Sequence, residues 1–213
     1  AIVVHIDIDS AEIGKNLDVD IPVVGDAKII LGEIDSRIES LDTEEWKQEI
    51  ADIREKYKRE KTETDYVNPM EAMKFASRSM SDDMVLVTDV GQNQFWASKN
   101  FEMYGKRRLL GSGGLGTMGY SLPASIGAKF GSPDSQVLCV VGDGGIQMLL
   151  AELGTIMEED LDIKIVVFNN SRLGMVRELQ DKRYGKGNTS GVTFKKSPDF
   201  SLIASGYGIE GRR

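Results

Sequence analysis

Apolar positions fall into two rhythms along this chain, and each change of rhythm marks an element. The densest apolar runs are Val137, Leu138, Val140 and Val141, and then Ile163-Lys164-Ile165-Val166-Val167-Phe168. Both have the density of a buried parallel strand. Between them Met148, Leu149, Leu153, Ile156 and Met157 recur at helical spacing and predict one helix starting near Gly145. The first strand stops at Gly142-Asp143-Gly144-Gly145 and the second at Asn169-Asn170. The stretch is a βαβ unit with both polar turns at the carboxyl ends of neighbouring strands. In open α/β sheets that edge binds ligands.

The same rhythms organise the rest. Residues 1–9 predict a buried strand, 7–10 a turn, 11–14 a short helical segment and 22–26 another turn. From Ala27, the residues Ile30, Leu31, Ile34, Ile38 and Leu41 predict a helix. Thr43 then caps a second helix, whose narrow stripe of Trp46, Ile50, Ile53 and Tyr57 is surrounded by Glu and Lys at i,i+4 spacing. Residues 58–65 are charged and unpatterned and predict a linker. Asn68-Pro69 opens a new helix through Met73, Ala76 and Met80. A strand over 84–88 follows, then a helix carrying Phe95, Trp96 and Phe101, and a short strand at 108–110. The glycine-rich stretch 111–119 leads into a helix with Leu122, Ile126 and Phe130. Beyond Asn170 the pattern predicts a helix over 173–182, an aperiodic loop over 184–196, and a helix opened by Ser197-Pro198-Asp199. The predicted class is α/β, a parallel sheet flanked by helices.

Composition narrows the partners. Hydrophobic content of 40% and charged content of 28% suit an ordinary soluble domain. A net charge of −8 argues against nucleic acid or an anionic membrane as partner. No apolar run reaches membrane-spanning length, and residues 1–30 read as folded chain rather than as a signal peptide. The chain starts at Ala1, inside an apparent strand, and is therefore expected to begin within a larger protein. Cys139 is the sole cysteine and lies mid-strand, so it reads as a core thiol in a cytoplasmic protein, without a disulfide or a cysteine-based metal framework. His5, the sole histidine, reads as structural.

The chemistry of the βαβ unit lies in its residue types. Asp143 offers a hard anionic oxygen at one strand tip and Asn170 a neutral amide oxygen at the next. Backbone N–H groups after Asp143 sit at a helix start, where phosphate is attracted. One carboxylate, one amide oxygen and a backbone carbonyl, completed by phosphate oxygens and water, suit octahedral magnesium. The expected ligand is a diphosphate. Residues 111–116 also match G-x-G-x-x-G between a strand and a helix, as in a dinucleotide-binding loop. The acidic residue that loop needs about twenty positions on falls near Asp134, in a turn. Residues 142–145 explain a phosphate site better.

Gly142-Asp143-Gly144, followed across residues 145–168 by Asn169-Asn170, resembles the signature of thiamine-diphosphate enzymes. In that family the Asp, the second Asn and a carbonyl two residues later hold magnesium against the cofactor, which maps onto Asp143, Asn170 and Arg172. The run 112–119 closely resembles the acetohydroxyacid (acetolactate) synthase branch, with Met118 as the wedge that bends the cofactor and Gly116 and Thr117 beside it. Residues 90–94 resemble the branch's diphosphate-contacting loop, with Gln92, and Asn93 where many members have His. Residues 169–176 extend the match through Leu173, Gly174 and Met175, and Gly142, Gly144 and Gly145 complete the cofactor set. Many members carry Trp where this chain has Leu179, so the substrate channel differs. Upstream, 5–16 and 25–26 are similar to the end of that branch's FAD-binding middle domain, implying Asp7, Ile8, Asp26 and Ala27 near FAD.

The resemblance implies that 1–65 are the tail of that middle domain with a helical linker. Residues 66–213 are then the thiamine-diphosphate and magnesium domain, truncated at its C-terminus. The implied activity is a transferase reaction: pyruvate is decarboxylated and condensed with a second 2-keto acid, pyruvate or 2-ketobutyrate, in branched-chain amino acid biosynthesis. Implied partners are a second copy, in a homodimer or tetramer, and a regulatory small subunit. The glutamate that activates the cofactor belongs to an amino-terminal domain outside this chain. No catalytic residue is therefore assigned within it, and the chain alone is expected to be inactive. Two alternatives stand: another thiamine-diphosphate-dependent carboligase, decarboxylase or oxidase, and a non-catalytic cofactor-binding module.

Overall fold

The computed structural model describes residues 2–57 and 66–213, so the predicted linker over 58–65 lies outside the described residues. The chain divides into two compact units, Ala1–Thr62 and Glu63–Arg213.

In the first unit, β1 (Val4–Asp7) pairs in parallel with β2 (Ile21–Val24). Helices α1 (Ala27–Asp35) and α2 (Glu44–Lys56) follow. Asp26 caps α1 by accepting from the Lys28 and Ile29 amides. Four expectations change here. Residues 11–14 form turns rather than a helix, with Glu12 N donating to Asp9 O and Lys15 N to Glu12 O. Pro22 lies inside β2, not in a turn; a two-stranded sheet is all edge, where a missing N–H is tolerated. Helix α1 stops at Asp35 instead of running to Leu41; the Ser36 hydroxyl donates to the Glu33 carbonyl and the Arg37 amide turns to the Ile34 carbonyl only three residues back. The strand expected to be buried is only half-buried, and α1 and α2 contain no buried residue. The Trp46, Ile53 and Tyr57 stripe is exposed.

The second unit holds a four-stranded parallel sheet of β3 (Val85–Thr88), β4 (Arg108–Gly111), β5 (Val137–Gly142) and β6 (Ile163–Phe168), in the order β4-β3-β5-β6. Helix α3 (Pro69–Ser79) precedes it, with Asn68 accepting from the Met70 amide and Pro69 at the first helical position. Helices α4 (Gln92–Asn100) and α5 (Ser121–Gly131) connect the first strands. Between β5 and β6 the expected single helix is two: α6 (Asp143–Met148) and α7 (Leu153–Glu158), joined by a 3-10 turn at Leu150–Glu152. Leu149 breaks them with φ −138° and ψ 41°. The break lies against the turn leading into α5: a Cβ on Gly119 would sit 2.9 Å from Met148 Cβ and 3.4 Å from Leu149 Cγ. Gly119 also has φ +86°, so glycine is required there twice over. Helices α8 (Gly174–Tyr184) and α9 (Phe200–Gly206) complete the unit, the latter capped by Asp199.

Alternation along the strands sorts the core into two layers. Val85, Val87, Val137 and Cys139 face Leu122 and Ile126 of α5 and Leu153 and Ile156 of α7. Leu86, Leu138 and Val140 face Met73 of α3 and Ala97 of α4. Helices thus cover both faces, as expected for a parallel sheet. Strand β3 has its sequence successor β4 on one side and β5 on the other. The chain therefore reverses its direction of travel across the sheet between β3 and β5, and a crevice opens at such a switch point.

Candidate functional site

Three strand tips meet at that crevice. The segment after β3 supplies Gln92 and Asn93 at the start of α4, the tip of β5 supplies 142–145, and the segment after β6 supplies 170–175. Asp143 is buried. Its Oδ1 accepts from the Gly144 amide at 3.0 Å and its Oδ2 from the Ser171 amide at 2.6 Å. Burial pushes the Asp143 carboxyl above the usual carboxylate range, against the opposing pull of the Ser171 and Gly144 amides and the Ser197 hydroxyl. A carboxylate held this way gains from a bound cation.

Asn170 lies beside it. Its Oδ1 accepts from the Arg172 amide (3.2 Å), and its Nδ2 donates to Gln92 Oε1 (3.2 Å). Ser171 between them takes the left-handed conformation, φ +55°. That conformation turns its amide to Asp143 and its carbonyl to the Phe194 amide (2.8 Å). Residues 192–194 thus return as a short antiparallel partner to 171–173, through Phe194 N to Ser171 O and Leu173 N to Val192 O (2.9 Å). Those two bonds belong to the neighbours of the Arg172–Thr193 bridge, so Arg172's own carbonyl takes no part in the ladder. The Ser171 and Ser197 hydroxyls lie 3.1 Å apart.

Gly144 sits under an apolar cover. A Cβ there would lie 3.0 Å from Leu173 Cδ2, 3.3 Å from Phe194 Cζ and 3.4 Å from Met118 Cε. Gly142 abuts Asn93, whose Nδ2 would be 3.4 Å from a Cβ at 142. Asn93 Nδ2 donates to the Val90 carbonyl (3.0 Å), while its Oδ1 is buried without a hydrogen-bond partner among the described residues. Gly145 packs against Asp89, where a Cβ would come within 2.7 Å of Oδ1. Gly174 packs against Gln92. Met175 follows in the first turn of α8.

The fold gathers Gln92, Asn93, Met118, Gly142, Asp143, Gly144, Gly145, Asn170, Arg172, Leu173 and Gly174 at one end of the sheet. Gly116 and Thr117 lead directly into Met118, and both amides donate to Ser112, one to its carbonyl and one to its hydroxyl, each at 3.0 Å. The residues implied near FAD lie in the first unit. Asp7 Oδ1 accepts from the Asp9 amide, Ile8 is exposed, Asp26 is occupied as the α1 cap and Ala27 starts that helix. Among the described residues no group of three His, Cys, Asp or Glu side chains converges as a metal cluster. One carboxylate supplemented by amide and carbonyl oxygens is a different donor set, and it suits a hard cation that keeps phosphate and water ligands.

Sequence reasoning missed Asp89, Ser171, Glu178, Phe194 and Ser197. Asp89 is fully buried and accepts from the Gly119 amide (3.2 Å), the Ser121 amide (3.1 Å) and the Ser121 hydroxyl (3.0 Å). It fixes the turn that carries Met118. Its signal was an acidic residue directly after a strand. Val192 and Phe194 stand out as aliphatic and phenyl side chains in a mostly polar loop, and Val192 is buried.

Comparison with known proteins identifies the family. Residues 89–213 match the family described as thiamine pyrophosphate enzyme, C-terminal TPP binding domain. Among curated proteins, the chain is 43% identical to the probable acetolactate synthase large subunit of Methanococcus aeolicus, covering 99% of this chain and 38% of that protein. It is 39% identical to the acetolactate synthase large subunit of Lactococcus lactis subsp. lactis, covering 99% and 37%. It is 35% identical to the acetolactate synthase isozyme 1 large subunit of Escherichia coli K12, covering 98% and 37%. The chain thus spans less than two fifths of the length of these relatives. It belongs to the thiamine pyrophosphate enzyme family, whose C-terminal TPP-binding domain it carries over residues 89–213.

Proposed function

We propose that this chain is part of an acetolactate synthase large subunit and holds the magnesium-diphosphate end of thiamine diphosphate. The observation that carries this reading is the meeting of Asp143, Asn170 and the Arg172 carbonyl, which the ladder leaves out, at the switch point of the sheet, with Gln92 and Asn93 alongside. Asp143, Asn170 Oδ1 and the Arg172 carbonyl would hold magnesium. Gly142, Gly144, Gly145, Gln92 and Asn93 would face the diphosphate, and Met118 and Leu173 would support the ring beyond it. Asn93 would meet a diphosphate through its Nδ2, which carries a second N–H beyond the one given to the Val90 carbonyl, while its buried Oδ1, unpartnered among the described residues, calls for a donor such as water.

Bound thiamine diphosphate supplies the electron sink for pyruvate decarboxylation and for condensation with a second 2-keto acid. The residues of this chain bind, orient and shield. Asp143 neutralises cationic charge, the strand-tip amides fix register, and the Met118, Leu173 and Phe194 side chains keep water from the Gly144 backbone. Within this reading, 1–65 close a middle domain of FAD type and 66–213 are the cofactor domain. The parent acts on pyruvate and 2-ketobutyrate as a cytoplasmic homodimer or tetramer with a regulatory small subunit. In this reading the glutamate that activates the cofactor belongs to another domain of the parent, and the isolated chain does not turn over.

The test is calorimetric titration of the chain with thiamine diphosphate, with and without magnesium, followed by incubation with pyruvate. Magnesium-dependent binding that Asp143→Ala abolishes, without acetolactate formation, is the expected result. Equal affinity in Asp143→Ala would sink the site assignment, and turnover by the chain alone would show that the catalytic machinery is misplaced.

A further inference from the structure

Side-chain amides at the strand tips form a chain with a direction. Asn170 Nδ2 donates to Gln92 Oε1, and Gln92 Nε2 donates to Glu178 Oε1 on α8. A carboxamide has one accepting end and one donating end, whereas a carboxylate only accepts. Glu178 therefore dictates that Gln92 presents its nitrogen to α8 and its oxygen to Asn170. Gln92 in turn dictates that Asn170 presents its nitrogen inward. The atom of Asn170 left on the other side is Oδ1, and the Arg172 amide favours the same orientation by donating to it at 3.2 Å.

Packing holds the middle of the chain in place. A Cβ on Gly174 would lie 1.8 Å from Gln92 Oε1 and 2.5 Å from its Cδ, so the Gln92 carboxamide lies flat on the first residue of α8. Only a residue without a side chain at 174 lets Gln92 bridge Asn170 and Glu178 together. Three segments distant in sequence are thereby set by one polarity.

We propose that Glu178 is a positioning residue for the metal site: acting through Gln92, it holds the Asn170 amide with its oxygen toward the cation. The inference rests on the magnesium-diphosphate reading above. A hard divalent cation takes oxygen and not amide nitrogen, so an Asn170 turned end for end would be a lost ligand. Glu178 is exposed and its own replacement does not disturb the core.

The experiment compares Glu178→Gln with Glu178→Lys in the full chain. Magnesium chloride is titrated calorimetrically into chain containing thiamine diphosphate, with melting temperature as a control on folding. Gln keeps an accepting oxygen for Gln92, so Glu178→Gln should bind magnesium like the parent sequence. Lys offers only donors and reverses the polarity, so Glu178→Lys should weaken magnesium binding by about tenfold, within the range for loss of a group supporting a metal ligand. The loss should persist at ionic strength on the order of 1 M, where charges interact over only about 3 Å. Equal losses in both variants, or a Lys effect that salt abolishes, would reduce Glu178 to a bulk charge and overturn the proposal. If Asp143→Ala leaves magnesium binding intact, the site reading itself has failed, an outcome distinct from failure of the relay.

Discussion

Asp89 offers the sharpest test of how the site is braced. Its carboxylate is fully buried and takes three donors: the Gly119 amide, the Ser121 amide and the Ser121 hydroxyl, at 3.2, 3.1 and 3.0 Å. Asp89→Ala strands all three in a place water does not reach. Hydrogen bonds to charged groups contribute about 1.5–3 kcal/mol each, a gross loss of roughly 5–9 kcal/mol for three. Removing the carboxylate returns its own desolvation cost, which offsets part of this, and losing one partner of a buried charged contact typically costs about 3–5 kcal/mol. We expect Asp89→Ala to fall in that range. Asp89→Asn retains one accepting oxygen, and the Ser121 hydroxyl can rotate to accept from the new amide. Its loss should be smaller, about 1–3 kcal/mol for one stranded donor. The assay is urea unfolding followed by Trp96 fluorescence in a Trp46→Phe background, so that only the second unit reports. Trp96 packs edge-on against Phe168 at 5.2 Å and senses the sheet directly. An Ala variant within about 1 kcal/mol of the parent, less than one such bond, would refute the bracing argument, as would an Asn variant worse than Ala.

Three further outcomes are expected. Arg107 is buried with five hydrogen bonds, to the carbonyls of Ser77, Met80, Ser81 and Glu102 and the Ser77 hydroxyl, and stacks 4.2 Å over Tyr104; Arg107→Lys keeps the charge but loses the fork, and should cost about 2–4 kcal/mol in urea unfolding, the scale of two or so bonds to a charged group. Burial raises the Asp143 carboxyl in the fold, so the native state holds that proton more tightly than the unfolded chain; the stability it contributes is present in acid and is lost as pH rises out of the usual carboxylate range, and unfolding free energies measured from acid to neutral pH should fall less in Asp143→Asn than in the parent. Burial likewise pushes the Cys139 thiol up, so a thiol-reactive disulfide reagent should label it only at the rate of unfolding, and rapid labelling under native conditions would contradict its place in the core.

The parts of the fold that could be read from sequence were those set by neighbours in sequence. Asn68-Pro69 declared the start of α3 through a local cap and a fixed φ, and Asp199 did the same for α9. Strands β5 and β6 declared themselves because strands buried on both faces are apolar throughout. The elements that misled were decided by contacts distant in sequence. Met148 and Leu149 keep helical spacing, yet the helix breaks there against Gly119. Residues 192–194 have no periodicity, and their strand-like pairing exists only because Ser171 presents a carbonyl to them. The site followed the same rule. Asp143 and Asn170 were legible as strand-tip chemistry, whereas Glu178 acquires its role only through an amide at Gln92.

The position of β5 between β3 and β6 also bears on how the chain is made. Synthesis delivers β3 and β4 first, and these can pair at once. The other edge of β3, from Val85 to Thr88, must wait for β5, fifty or so residues later, and every residue of β3 is buried in the finished sheet. An open strand edge, apolar at three of its four residues here, is a template for pairing with other chains. A nascent chain halted before Val137 should therefore be the most aggregation-prone length, and solubility should recover once β5 has emerged to occupy that edge.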